Sequence, residues 1–211
     1  MLTAYRRRRF TWLFVSLLLT LGVGATLDSL VSGYNVLQLL LMVNLVAAIA
    51  SVAHENAMRL PLVLGIGFII ARSLRAALGL PGMLAVSDGL WVTAIALATV
   101  ASVRHALARG SVDTERILAA LDAYLLAGLL FAVAYWMVDR AWPSSFGGDA
   151  LDLGRAIYFS FVTMATLGYG DIVPTSPPAR GLTIVEAVSG QMYLVVVVAR
   201  LVSLYSQQRG E

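Results

Sequence analysis

Thr166-Leu167-Gly168-Tyr169-Gly170-Asp171 is the stretch of this chain whose residue types and spacing suggest chemistry. Two glycines flank a single residue, directly after a run from Leu153 to Ala165 that reads as a helix too short to span a bilayer. Glycine at alternate positions permits backbone angles that turn successive carbonyls toward one axis. Carbonyls aligned in that way can replace the hydration shell of a dehydrated cation. Other chemistries lack their carriers. The chain has no cysteine, and neither a nucleophile–base pair nor a metal-ligand cluster falls within its apolar runs. No enzymatic reaction and no cofactor are expected.

The elements that must hold this stretch follow from composition. Of 211 residues, 59% are hydrophobic and 13% charged, where a soluble domain carries about 25% charged residues. A water-soluble enzyme, a disordered chain and a disulfide scaffold are thereby excluded, and a polytopic membrane protein is indicated. Six apolar runs are long enough for spanning helices: Phe10 to Leu27, Val36 to Val52, Leu60 to Leu80, Met83 to Val103, Ile117 to Val138, and Leu182 to about Tyr205. Between the last two, Ala141 to Gly181 holds four of the six prolines. Irregular backbone at membrane depth is tolerated only where protein buries it or it lines a water-filled path. The apolar stretch of the first run is 18 residues, longer than a signal-peptide core, so it is read as a retained span.

All 15 basic residues are arginine. Arg6, Arg7, Arg8 and Arg9 stand immediately before the first apolar run, where basic residues set topology. With the N-terminus inside, ten arginines fall on the cytoplasmic side and five on the other, so both termini are expected in the cytoplasm. No basic face remains for nucleic acid. Compactness and all-arginine usage suggest a prokaryotic inner membrane.

With its flanking helices, the Thr166–Asp171 stretch resembles the signature of the tetrameric potassium channels, TxGYGD after a short pore helix. The resemblance covers Leu118 to Gln208. Gly190 lies 19 residues after Asp171, where the family usually has its inner-helix hinge glycine. The run SGQMYLVVVVARLVSLY also resembles the inner helix of small prokaryotic members. The implied fold is an all-α membrane protein with six transmembrane helices per subunit and a re-entrant pore helix and filter loop between helices 5 and 6. Residues 1–110 would form a four-helix transmembrane domain and residues 111–211 the pore domain. The implied function is passive, selective K+ conduction through a homotetramer in a lipid bilayer. Thr166, Leu167, Gly168 and Tyr169 would bind K+, Gly170 would complete the filter, and Asp171 would sit at the outer mouth. Tyr169's side chain should pack against the pore helix, away from the ion path. A non-selective cation channel and a non-conducting partner subunit are the alternatives.

Two departures from the family pattern stand out. Leu167 occupies a position where valine is commonest, which leaves the carbonyl unchanged. Val162 stands where some members carry a glutamate bonded to the aspartate at the position of Asp171. Glu186 has two readings: a substitute polar partner for Asp171, or a carboxylate that lies near the outer interface or pairs with Arg180. The first four runs do not read as a voltage sensor, since Met83 to Val103 contains no arginine. Arg72 and Arg75 are read as snorkelling residues or partners of Asp88. After Arg200 only 11 residues follow, so no ligand-gating module is expected. His54 and His105 are read as surface histidines, Gly65 and Gly67 as packing contacts, and Trp12, Trp136 and Trp142 as interfacial anchors, with Trp91 packed inside.

Overall fold

Apolar runs that cannot find water for their backbone groups must satisfy them internally, and helices do so within one segment. A computed structural model describes residues 9–30, 36–52, 67, 82–108 and 113–209, and among these there are helices and loops but no strand. The helices are α1 (Arg9–Leu30), α2 (Val36–Val52), α3 (Gly82–Ala106), α4 (Thr114–Ala141), α5 (Leu153–Met164) and α6 (Pro177–Arg209). Asp88–Ala106, Thr114–Ala141 and Pro177–Arg200 are long and apolar enough to cross a membrane. The second run, Val36 to Val52, is helical throughout. The last begins earlier than Leu182, because Pro177 and Pro178 suit the first turn of a helix, where no N–H partner is needed. The third run, with Arg72 and Arg75, lies outside the described residues apart from Gly67. So do His54 and Gly65.

The chain divides into two units, which share α4 between them. In the first, stripes at helical spacing form the core. Phe10, Leu13 and Leu17 come from α1, Leu37, Leu41, Leu45 and Ala48 from α2, and Trp91, Ala94, Ile95 and Ala98 from α3, all buried. At Gly24 a Cβ would come within 2.8 Å of the Leu37 Cδ1, so a larger residue there would require the Leu37 side chain to shift. Asn44, buried in α2, donates to Thr20 Oγ1 at 2.6 Å. The Glu115 carboxylate accepts from the Phe10 N–H (3.0 Å) and the Thr11 hydroxyl (2.6 Å), tying α4 to α1. His105 is not a bare surface histidine, because its ring stacks on Phe10 at 4.7 Å.

In the second unit α5 packs on α6. Its core is aromatic. The rings of Tyr135, Phe146 and Phe159 meet edge to face with centroids 4.9–5.3 Å apart, the arrangement their quadrupoles favour. The buried carboxylate of Asp139, near the end of α4, accepts from the N–H groups of Ser145 (3.0 Å) and Leu151 (2.8 Å). It thereby folds the loop between α4 and α5 back onto α4. Thr175, beyond the filter-like stretch, ties to the same loop through its N–H to the Ser145 carbonyl and its hydroxyl to the Ser144 carbonyl, both at 2.8 Å.

Candidate functional site

Helix α5 aims at the Thr166–Asp171 stretch. Asp152 caps its start by accepting from the Arg155 N–H at 2.8 Å. Its far end stops at Met164, leaving its last carbonyls facing the residues that follow, where the helix dipole presents partial negative charge. Two constraints fix its crossing over α4. Gly128 has no side chain, and a Cβ there would lie 2.7 Å from the ring of Phe161. The Ser160 hydroxyl oxygen lies 2.7 Å from the Gly128 carbonyl. From α6, Gln191 donates to the Met164 carbonyl at 3.3 Å, and Gly190 leaves room for Met164, which a Cβ would approach to 3.3 Å. Through Gly190, α6 is unbroken.

After α5 the backbone changes character. Thr166, Gly168 and Gly170 have φ of +57°, +56° and +79°, while Leu167 and Tyr169 between them do not enter the left-handed region. In an ordinary extended strand successive carbonyls point to opposite sides. Alternation between the two halves of φ space turns them toward the same side. A Cβ on Gly168 or Gly170 would meet nothing within 4 Å in this subunit, so glycine is needed there for its backbone freedom and not for space. Thr166 is β-branched and left-handed, a combination that costs about 1–3 kcal/mol. Hydrogen bonds hold it there: its N–H donates to the Thr163 carbonyl at 3.0 Å, and the Leu167 N–H to the Val162 carbonyl at 2.9 Å.

Side chains on α5 support the outer half. The Tyr169 ring stacks on Tyr158, nearly parallel at 6.5 Å. Desolvation, then a hydrogen bond to Asp171 and its charge, push the Tyr158 hydroxyl pKa up. Tyr158, one turn before Val162, is thus an α5 residue on which Asp171 acts. It went unnoticed in the sequence, where the signal was a tyrosine 13 residues before the aspartate. Glu186 meets neither Asp171 nor Arg180. It is fully buried, with Tyr135 and Ser160 at its two carboxyl oxygens. Its position on α6 turns it inward, under α5, while Arg180 donates to the Pro174 carbonyl at 3.2 Å. Among the described residues no cluster of His, Cys, Asp or Glu could hold a metal ion.

A family model described as "Ion channel" matches residues 122–207. An inward rectifier potassium channel of Paramagnetospirillum magnetotacticum is 34% identical over 88 residues, 40% of this chain and 28% of that protein. A two-pore potassium channel of Arabidopsis thaliana is 40% identical over 80 residues, 37% of this chain and 27% of its own length. A voltage-gated potassium channel of Escherichia coli is 58% identical over 38 residues, 18% of this chain and 9% of that protein. The matched region spans under a third of each of these relatives, and no solved structure matches the chain. Ion channels are pores and not enzymes, and the apolar helices fit an integral membrane protein. Residues 122–207 of this chain are thus similar to the ion-channel family, and the relatives just described are potassium channels.

Proposed function

We propose that the protein is a passive, potassium-selective channel whose filter is Thr166 to Gly170. The observation that carries this reading is the alternation of φ at Thr166, Gly168 and Gly170 at the end of α5. Carbonyls presented to one side at successive residues supply the repeated oxygen sites that a dehydrated K+ requires. The Thr166 hydroxyl donates to the Ala165 carbonyl at 2.7 Å, which leaves its oxygen lone pairs for the innermost site. Asp171, exposed beyond Gly170, concentrates cations at the outer mouth.

A single chain provides one wall of such a path, so the conducting form is a homotetramer in a lipid bilayer. Exposed apolar side chains on α6, among them Ile184, Val188, Val195 and Val202, supply surface for subunit contacts, lipid and the pore lining. Gly190 is where α6 would bend on opening. The six-span subunit has both termini in the cytoplasm and sits in a prokaryotic inner membrane. No arginine precedes Arg104 in α3, so conduction lacks steep voltage dependence.

The experiment is rubidium uptake into liposomes that hold the purified full chain and a potassium gradient. Uptake above that of empty liposomes, blocked by barium, is the expected result. Absence of uptake would favour a non-conducting partner subunit.

A further inference from the structure

Glu186 has no place in the filter, yet it is the fully buried carboxyl of the second unit. One of its oxygens bonds the Tyr135 hydroxyl of α4, and the other lies 2.5 Å from the Ser160 Oγ of α5. Ser160 Oγ in turn lies 2.7 Å from the Gly128 carbonyl oxygen of α4. The chain Tyr135–Glu186–Ser160–Gly128 therefore contains three oxygen–oxygen contacts at hydrogen-bond distance, and each needs a proton between its oxygens.

An ionised Glu186 leaves two protons for three contacts, one on Tyr135 and one on Ser160. Gly128 O can only accept, so the Ser160 proton serves either that carbonyl or the carboxylate. The remaining contact would press two lone pairs together between side chains that are fully buried. Thr183, beside Tyr135, cannot make up the deficit, because its hydroxyl donates to the Ala179 carbonyl at 2.9 Å. A proton on Glu186 completes the set. Tyr135 then donates to the carboxyl, the carboxyl to Ser160, and Ser160 to Gly128 O.

The electrostatic surroundings agree. The groups facing Glu186 are Ser160 of α5 and Tyr135 of α4, with Tyr124 of α4 at longer range, and no cationic side chain is among them. A buried anion without a cationic partner is costly.

We infer that Glu186 is a positioning residue held in its protonated form, a neutral carboxyl that clamps α5 between α4 and α6 behind the filter. Its role in conduction rests on the channel reading above; the proton itself does not. Loss of that proton removes one hydrogen bond per subunit at the helix that ends in the filter.

The test compares the wild-type chain with Glu186→Gln across a pH series from about pH 6 to about pH 9.5, a range in which buried glutamates titrate. The glutamine amide can donate to Ser160 and accept from Tyr135, so it reproduces the protonated pattern and cannot lose it. The expected result is near wild-type rubidium flux for Glu186→Gln at neutral pH. Wild-type flux should fall by about tenfold on the alkaline side, since several subunits lose a buried hydrogen bond together. Glu186→Gln should show no such fall, although it keeps both tyrosines. If Glu186→Gln abolishes flux at neutral pH in a folded protein, or falls with the same alkaline profile as wild type, the inference is wrong.

A second measurement does not depend on conduction. Infrared spectra of the wild-type protein should contain a protonated-carboxyl band at neutral pH that shifts in Ser160→Ala and disappears on alkaline titration. A spectrum in which Ser160→Ala perturbs no protonated-carboxyl band would also overturn it. If the band that Ser160→Ala shifts is present but there is no flux, the channel reading fails and the proton assignment stands.

Discussion

Gly168→Ala should reduce potassium flux by at least about 100-fold while leaving the helices intact. Gly168 has φ of +56°, and a Cβ there would touch nothing within 4 Å in its own subunit, so the penalty within the subunit is conformational. An L-residue in the left-handed region costs about 1–2 kcal/mol. In a four-subunit ring the strain would total roughly 4–8 kcal/mol by the same figure, concentrated at one level of the ion path. The backbone relieves it by returning to φ < 0, and that rotation swings a carbonyl away from the axis. Each 1.4 kcal/mol added to the barrier is about a tenfold loss of rate, so two such steps give the stated minimum. Gly181→Ala is the matched control. It lies in α6 without a positive φ and with open space around its Cβ position. Its flux should stay within about twofold of wild type, because alanine is the better helix former. Rubidium uptake by the two variants checks both statements, and equal uptake would remove the case for a φ-dependent filter.

Asp139→Ala is expected to cause the largest loss of stability. The Asp139 carboxylate is buried and accepts two N–H groups, from Ser145 at 3.0 Å and Leu151 at 2.8 Å. Removing it strands both donors, and each unsatisfied buried donor costs about 1–3 kcal/mol. A total near 3 kcal/mol is expected, seen as a drop of several degrees in the thermal unfolding midpoint of the detergent-solubilised protein. Asp139→Asn keeps one acceptor oxygen and should lose about half as much. The loop that Asp139 holds also anchors Thr175 beyond the filter, so flux through Asp139→Ala should fall as well. An unchanged midpoint would mean that water replaces the carboxylate at no cost.

Much of the helical architecture was legible because hydrophobic runs need no partner to be recognised. Val36–Val52 lies between Asn35 and the His54-Glu55 pair, and the whole run is helical. Ends were less legible. Pro177 and Pro178 looked like loop residues, yet proline is suited to a helix's first turn. The alternating glycines announced an unusual backbone, and Gly168 and Gly170 adopt it. The left-handed Thr166 could not have been foreseen, since a β-branched residue disfavours that region and the neighbouring hydrogen bonds impose it. Glu186 was misjudged for a similar reason. Sequence distance placed it near Arg180 and the outer interface, whereas the inward face of α6 delivers it to Ser160 and Tyr135. Such partners, 26 and 51 residues away, are set by tertiary packing and leave no local trace.

The central claim is selectivity, and a bi-ionic reversal potential tests it most directly. With potassium on one side of a bilayer and sodium on the other, the full chain should reverse far toward the potassium equilibrium potential. A reversal potential near zero, signifying equal permeation of the two ions, would contradict the account.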